Sequence, residues 1–177
     1  LEDPLPVPVV WNSGGYDRVE TLAALEGKIQ IYLPDYKYTD PDTARRYAGA
    51  ADYPETARAA IREMVRQTGP YQLDENGILT RGVILRHLLL PGGLNQAKEV
   101  MDWVAETFPP HTILFSLMSQ YTPWGKAADY PPLDRRLRKS EIRAAEAYFT
   151  NLGLDGFTQG VEAAQAEYIP TFDLTGV

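Results

Sequence analysis

The chain of 177 residues has no cysteine and only two histidines, His87 and His111. Without thiols it can form neither a disulfide nor a thiolate metal site from its own residues. Two histidines are also too few for a histidine-rich metal centre. The sequence therefore predicts no metal ligand in this chain, although carboxylate oxygens could still hold a hard cation such as Mg²⁺.

Positive charge is scarce as well, with 17 Lys and Arg residues against 24 Asp and Glu residues and a net charge of −7. Phosphate backbones and anionic lipids are bound by clustered Lys and Arg, so this balance argues against nucleic acid or a membrane as the partner. The single basic run, residues 135–139, is interpreted as the solvated start of a helix.

The sequence has no apolar run long enough to span a membrane, and its first residues lack the basic and then apolar pattern of a signal peptide. We therefore expect a cytoplasmic protein. Hydrophobic residues make up 44% and charged residues 23%, which is typical of a globular chain. Residues 1–177 are long enough for a single domain with a sizeable core.

Apolar strand-like runs alternate with helical patterns along most of the chain. The predicted strands cover residues 6–11, 28–36, 81–90 and 112–118, and the predicted helices cover residues 17–25, 52–67, 95–108 and 140–152. A further helical region opens at Asp40-Pro41 and contains residues 44–47. This alternation is typical of a parallel sheet with crossover helices. The fold class is therefore α/β: a partial parallel (β/α) barrel of about four or five strands, half of a complete barrel. For the tail we expect a short helix at 160–168 and extended chain at 169–177.

The first predicted strand has no preceding strand to pair with in this sequence. An exposed strand edge is an aggregation hazard that proteins usually cover. We therefore expect the chain to be the later part of a larger protein. We also expect the isolated chain to self-associate through its open sheet edge.

The most informative stretch is residues 29–38. Side chains alternate across a strand, so Ile31, Leu33, Asp35 and Lys37 share one face. Apolar residues followed by a carboxylate and an ammonium group predict a core that opens onto a polar pocket at the carboxyl end of the strand. Parallel sheets and barrels place their ligands at that end.

Three other strand ends carry polar residues too. They are Asn12 with Ser13, Arg86 with His87, and Gln120 with Tyr121. Because the carboxyl ends of parallel strands lie at the same side of a sheet, these groups could converge with Asp35 and Lys37 on one cavity.

Each of these groups also has a purely structural interpretation. Asn12 begins what is predicted as a tight turn, and Asp35 with Lys37 could be an ion pair that holds the strand end. His87 is interpreted as a hydrogen-bonded core histidine, because it faces away from Arg86 in an otherwise apolar strand. For Arg86 we favour contact with a ligand carboxylate or phosphate, which its planar guanidinium suits.

The sequence contains no nucleophile elbow, no dinucleotide fingerprint, no Walker loop and no paired-histidine motif. The tyrosines at positions 32, 36, 38, 47 and 53 are interpreted as interior packing with hydroxyl groups at the rim, and a stacking surface is the alternative. From the residues alone, the prediction is an α/β domain with a polar pocket at its strand ends.

Four segments, read in order, add a resemblance to this picture. They are residues 10–16 (Val-Trp-Asn-Ser-Gly-Gly-Tyr), 31–38 (Ile-Tyr-Leu-Pro-Asp-Tyr-Lys-Tyr), 85–92 (Leu-Arg-His-Leu-Leu-Leu-Pro-Gly) and 116–123 (Ser-Leu-Met-Ser-Gln-Tyr-Thr-Pro). Together they resemble the C-terminal part of radical S-adenosylmethionine proteins related to the pyruvate formate-lyase activating enzyme. The resemblance covers nearly the whole chain.

This resemblance implies cofactors that the chain cannot hold alone. In that family an N-terminal Cys-x3-Cys-x2-Cys loop binds a [4Fe–4S] cluster, and S-adenosylmethionine chelates its fourth iron. An electron from the cluster splits the sulfonium, and the deoxyadenosyl radical abstracts hydrogen, in activating enzymes from a glycine of a partner protein. The resemblance thus implies an iron–sulfur parent enzyme that uses S-adenosylmethionine, with an electron donor and a glycyl-radical enzyme as partners. The cysteine-free chain would be an inactive fragment of it.

The resemblance also assigns cofactor-binding residues. Asp35 and Lys37 match the family's Asp-x-Lys at a strand end, and Arg86 matches the arginine that pairs with the methionine carboxylate. Asn12 and Ser13 would line the pocket near the ribose or the methionine.

Two more residues, Gln120 and Tyr121, fall where the family places a polar residue near the cofactor. No catalytic residue is assigned. Trp11 departs from the pattern, because the activating enzymes proper have an acidic residue there. Glycyl-radical activation is therefore a narrower expectation than membership of the wider group.

Two alternatives remain open at this stage. The first is a non-catalytic α/β module that binds a partner protein or a small anion. The second is a complete sugar- or phosphate-binding enzyme, which would need a sheet closed without further strands.

Overall fold

The computed structural model describes residues 7–159. Its strands are β1 (Val10–Ser13), β2 (Ile31–Pro34), β3 (Gln72–Leu73), β4 (Leu79–Leu88), β5 (Leu114–Met118) and β6 (Gly156–Gln159). In the sheet the order is β1-β2-β4-β5-β6, all neighbours are parallel, and β3 pairs antiparallel with β4. The predicted parallel α/β architecture is confirmed.

Crossover helices connect the parallel strands. They are α1 (Val19–Ala23), α2 (Pro41–Ala48), α3 (Tyr53–Thr68), α4 (Leu94–Thr107) and α5 (Lys139–Leu152), and a 3₁₀ turn covers Gly125–Asp129. The start of α2 follows directly from the sequence: Asp40 accepts a hydrogen bond from the Thr43 amide at 2.7 Å, and Pro41 occupies the first helical position.

The sheet has two different faces. On β4, Val83, Leu85 and His87 are buried in the layer that also contains the apolar faces of α3, α4 and α5. The alternate residues Ile84 and Arg86 point to the opposite face and are only partly buried. We call this second side the open face, because it is less covered than the helix side within the described residues.

Two boundaries near the first strand differ from the prediction. Asn12 and Ser13 are the last residues of β1 and not part of a turn, so the turn begins at Gly14. The helix predicted from residue 17 begins at Val19, and its N-cap Arg18 makes no side-chain capping hydrogen bond. The Asp17 carboxylate accepts a hydrogen bond from the Ser13 hydroxyl at 2.5 Å.

Two further differences lie near the C-terminal side. The helix predicted at 140–152 begins earlier, at Lys139, with Arg138 as its N-cap, because the Glu141 carboxylate accepts from the Arg138 amide. The exposed strand β6 was not predicted, because its sequence Gly-Phe-Thr-Gln shows no apolar alternation. The expectations for 160–168 and 169–177 lie outside the described residues.

Within residues 7–159, no helix is both long enough and apolar enough to traverse a lipid bilayer.

Candidate functional site

Asp35 and Arg86 meet where β2 ends beside β4. The two residues form an isolated parallel bridge, and their side chains lie on the open face. Arg86 Nη2 lies 2.7 Å from Asp35 Oδ1 and also donates a hydrogen bond to Asn12 Oδ1 at 2.7 Å. The Arg86 and Asp35 side chains are 23% and 21% exposed. Three of the predicted site residues therefore form one cluster, and we call Asn12, Asp35 and Arg86 the strand-end cluster.

The strand-end cluster leaves polar atoms without hydrogen bonds. The Arg86–Asp35 contact is short, but its angle does not suit a hydrogen bond. Within the described residues, Asp35 Oδ1 and Arg86 Nε are both buried without a hydrogen-bond partner. Such atoms are rare in folded proteins and call for an explanation, of which a missing ligand is one.

Lys37 adds a second positive charge beside the cluster. Its Nζ lies 3.6 Å from Asp35 Oδ2, and its side chain is 48% exposed. At this distance and exposure the pair is a weak one, so the ammonium group remains accessible to another anion.

The hydroxyl group of Tyr53 holds this part of the chain in place. It accepts a hydrogen bond from the Lys37 amide at 2.9 Å, and its own hydrogen faces the carbonyl oxygens of Gly14 at 2.9 Å and Asp35 at 3.1 Å. Burial raises the pKa of Tyr53, so the phenol stays neutral and can donate. Gly15 packs equally closely, because a Cβ there would lie 2.0 Å from the Asp35 carbonyl oxygen.

His87 is a core histidine, as predicted. Its side chain is buried, and Nδ1 lies 2.7 Å from the Tyr36 carbonyl oxygen. Since a carbonyl oxygen only accepts, Nδ1 carries the hydrogen. Burial lowers the pKa of His87 and favours the neutral ring. It lies on the helix side of the sheet, away from the strand-end cluster.

Ser13 has contacts of its own outside the cluster. Its hydroxyl group donates to Asp17 and accepts from the Gly15 amide at 3.2 Å. Its neighbour Asn12 reaches Arg86, whereas Ser13 points to the other side of β1. In this structure Ser13 shapes the turn that follows the strand.

The last two predicted residues follow β5. Gln120 Nε2 donates to Gln159 Oε1 at 2.9 Å, which ties the end of β5 to β6. The Tyr121 hydroxyl donates to the Leu133 carbonyl oxygen at 2.7 Å. The structure therefore does not bring Gln120 into the strand-end cluster, whereas Tyr121 lines a cavity that adjoins it.

This cavity has a volume of about 530 Å³ and lies at the carboxyl ends of β2, β4 and β5. We call it the aromatic cavity, after five of its lining residues: Tyr38, Tyr47, Tyr121, Trp124 and Tyr130. Asp35 and Lys37 line it as well, so it borders the strand-end cluster. Trp124 and Tyr130 lie between the predicted strand 112–118 and the predicted helix 140–152 and were not predicted as site residues. The density of aromatic residues in that segment is the signal that could have found them.

Residues 7–159 contain no group of three His, Asp or Glu side chains placed to hold a metal ion. With no cysteine in the sequence, the chain also has no thiolate for an iron–sulfur cluster.

Comparison with known proteins finds similarity by sequence and by structure. A scan against models of protein families finds no match. The uncharacterized protein MJ0674 of Methanocaldococcus jannaschii is 29% identical over 150 residues, which cover 84% of this chain and 40% of that protein. The chain therefore spans less than half the length of this curated relative.

Among solved structures, a domain of a pyruvate-formate lyase-activating enzyme from Bacteroides vulgatus matches with a TM-score of 0.56 and 16% identity, covering 81% of this chain and 75% of that one. The chain shares the fold of this domain. A radical SAM methyltransferase from Sphaerobacter thermophilus matches with a TM-score of 0.50 and 17% identity over 85% of this chain and 40% of that one. The resemblance seen in the sequence is thus confirmed at the level of the fold.

Proposed function

We propose that the strand-end cluster binds the methionine end of S-adenosylmethionine, and that the chain is the C-terminal part of a radical S-adenosylmethionine enzyme. The observation that carries this proposal is Arg86 Nε, a buried donor that has no hydrogen-bond acceptor in the described residues and lies beside the Asp35 carboxylate at the strand ends of this fold.

The donor set fits the zwitterionic methionine group. The guanidinium of Arg86 suits a carboxylate, and its Nε is a donor that lacks an acceptor in the described part of the chain. The carboxylate of Asp35 suits an ammonium group. Lys37 supplies a further positive charge beside them, and the Asn12 amide is held in place by Arg86.

The residues of this chain do not fit an iron–sulfur cluster, because they include no thiol. A [4Fe–4S] cluster would therefore be held by residues of a longer protein, and the chain alone would be inactive. Together the cluster and S-adenosylmethionine supply hydrogen abstraction from a substrate. The role of this chain is to bind and orient the cofactor for that reaction.

Two forms of this activity are open to the parent protein. One is glycyl-radical activation, because one structural relative is named as a domain of a pyruvate-formate lyase-activating enzyme, with a glycyl-radical enzyme such as pyruvate formate-lyase and an electron donor as partners. The other is hydrogen abstraction from a small molecule, for which the aromatic cavity offers space. Trp11 stands at a position where activating enzymes have an acidic residue, which favours the second form. We propose a cytoplasmic location for the same protein.

Replacing Arg86 with leucine tests the cofactor assignment. In the complete protein, Arg86→Leu should weaken S-adenosylmethionine binding by about 2–5 kcal/mol, because a buried charge loses its partner. Isothermal titration calorimetry measures this. The matched control is Arg45→Leu, since Arg45 is exposed and its ion partner is Asp42, on the same helix. Equal affinity of both variants would remove Arg86 from the site, and circular dichroism establishes that each variant is folded.

The reading frame upstream of residue 1 provides an independent test. A Cys-x3-Cys-x2-Cys motif within roughly the preceding hundred residues, the length of the other half of a barrel, is the expected finding. An unrelated domain in that place would instead favour a non-catalytic module that binds a protein or a small anion.

A further inference from the structure

The aromatic cavity is a separate feature from the strand-end cluster, although the two meet at Asp35. Arg86 and Asn12 do not line the cavity. Its far wall comes from residues 121–133, which contribute nothing to the proposed cofactor site. The volume of about 530 Å³ is in the range of small-molecule sites and exceeds what a single inorganic anion would fill.

Positive charge dominates the rim of this cavity. Its charged lining residues are Asp35, Lys37 and Lys126. The Asp35 carboxylate is already contacted by Arg86 and Lys37, whereas Lys126 has no carboxylate partner among the described residues. In a chain with a net charge of −7, such a local excess of positive charge favours an anionic ligand.

The rings form a connected wall. The Tyr38 and Tyr47 ring centres are 6.1 Å apart, and those of Tyr47 and Tyr130 are 5.9 Å apart with planes at 87°. The Arg46 guanidinium carbon lies 5.5 Å from the Tyr47 ring centre and 6.0 Å from that of Tyr130, which holds these rings and adds a third positive charge nearby. Trp124 is 74% exposed and lies at the rim. Aromatic walls of this kind suit a flat ring.

We propose that the aromatic cavity binds the substrate of the enzyme, and that this substrate is a small organic anion with a planar ring. The ring packs against Tyr47 and Tyr130, and the acidic group faces Lys126 and Lys37. The assignment of the ligand class follows from the cavity itself. Its description as a substrate rests on the proposed function, because Asp35 and Lys37 would place the ligand beside the cofactor.

A peptide segment fits the same cavity less well. Main-chain amides need hydrogen-bonding groups along their length, whereas the lining residues are mostly rings and the aliphatic side chains of Leu88, Leu90 and Met118. The one described carboxylate in the lining, Asp35, contacts Arg86 and belongs to the proposed cofactor site. A ring with one acidic group uses both the rings and the ammonium groups of Lys37 and Lys126.

Calorimetric titration with 2-naphthoate tests the ligand class on the complete protein. Neutral 2-naphthylmethanol and cationic 2-naphthylmethylamine carry the same ring and serve as matched probes. We expect 2-naphthoate to bind and the other two to bind at least roughly fivefold more weakly, because they lack the charge interaction with lysine. Equal binding of the three probes would overturn the anion assignment.

Variants locate the bound probe. Lys126→Gln should weaken 2-naphthoate binding by about threefold to tenfold, and Tyr130→Leu by about tenfold. The control is Lys28→Gln, since Lys28 is exposed and lies before β2, at the opposite end of the sheet. Affinity unchanged in both cavity variants would place the probe elsewhere and overturn the proposal.

A final titration separates this proposal from the proposed function. Binding of 2-naphthoate in the presence of saturating S-adenosylmethionine supports a substrate site beside a cofactor site. Displacement by S-adenosylmethionine would show that the cavity receives the cofactor and would overturn the substrate assignment. If S-adenosylmethionine binds and 2-naphthoate does not, the cavity proposal falls while the cofactor proposal stands. If only 2-naphthoate binds, the cofactor proposal falls and the substrate role falls with it.

Discussion

At the scale of single residues, the hydroxyl group of Tyr53 connects three main-chain groups near the candidate site by hydrogen bonds. Tyr53→Phe would remove the acceptor of the partly buried Lys37 amide, which costs about 1 kcal/mol in the free energy of unfolding. It would also release the carbonyl groups of Gly14 and Asp35. We therefore expect lower stability in chemical denaturation and weaker S-adenosylmethionine binding by calorimetry.

Tyr16→Phe is the matched control for this prediction. The Tyr16 hydroxyl donates to Asp52 at the surface, so its loss should change stability by less than about 0.5 kcal/mol. Similar effects of the two substitutions would show that Tyr53 does not position the strand end.

His87 gives the protein a defined dependence on pH. Its pKa is lowered by burial, so below the ordinary value of about 6.5 the unfolded chain takes up a proton that the folded chain does not. The stabilising effect of the neutral ring is thus fully present above pH 6.5 and is lost as pH falls further. The slope is at most about 1.4 kcal/mol per pH unit.

Urea denaturation between pH 5 and 8 measures this slope. His87→Leu should abolish it, and His111→Gln should leave the slope due to His87 in place, since His111 is exposed. A His87→Leu protein whose stability still falls in the same way below pH 6.5 would contradict the assignment.

At the scale of structural elements, the turn between β1 and α1 depends on a glycine. Gly15 has φ +76° and Gly27 has φ +79°, so alanine is strained at both positions by about 1–2 kcal/mol. A Cβ at Gly27 meets open space, whereas at Gly15 it would lie 2.0 Å from the Asp35 carbonyl oxygen. Gly15→Ala should therefore destabilise the protein clearly more than Gly27→Ala.

Chemical denaturation of the two alanine variants gives this comparison directly. Calorimetry with S-adenosylmethionine should also show a loss of affinity for Gly15→Ala only, because the turn would have to move away from Asp35. Equal destabilisation by the two substitutions would mean that the close packing of the turn has no energetic effect.

Elements with strong local signals could be predicted from the sequence. Asp40 and Pro41 mark the start of α2, and Gly153 marks the end of α5 in the left-handed conformation. The start of α5 was predicted at Ser140, which is of a common cap type. The observed cap is Arg138, an uncommon cap residue whose position is set by hydrogen bonds with Glu141. β6 was missed because its stability comes from pairing with β5 and not from an apolar face of its own.

At the scale of the whole molecule, the convergence of polar side chains at the strand ends could be predicted, because strand register decides their geometry. The order of parallel strands puts Asn12, Asp35 and Arg86 side by side, and alternation along a strand places them on one face. The aromatic cavity could not be predicted, because Tyr47 comes from α2 and Tyr130 from a distant loop. Only the packing of the complete chain brings these rings together.

The edge strand β1 leads to a prediction about self-association of the isolated chain. Within residues 7–159, β1 pairs only with β2, so one side of its backbone lacks a partner strand. We expect the isolated chain to self-associate through this edge, as measured by multi-angle light scattering. Val10→Lys should reduce association, because a lysine on an edge strand opposes strand pairing.

Val7→Lys is the control, since Val7 is also exposed but precedes β1. A chain that stays monomeric at high concentration would contradict an open edge.

One oxygen atom, in the Tyr53 phenol, serves the main chain of three residues at once. These hydrogen bonds connect the turn at Gly14 to the end of β2, so we expect the two segments to move together. We expect a ligand that displaces the Lys37 backbone to displace Gly14 as well, because the Tyr53 hydroxyl is hydrogen-bonded to both residues. Affinity for S-adenosylmethionine and conformational order of the glycine turn should therefore change together.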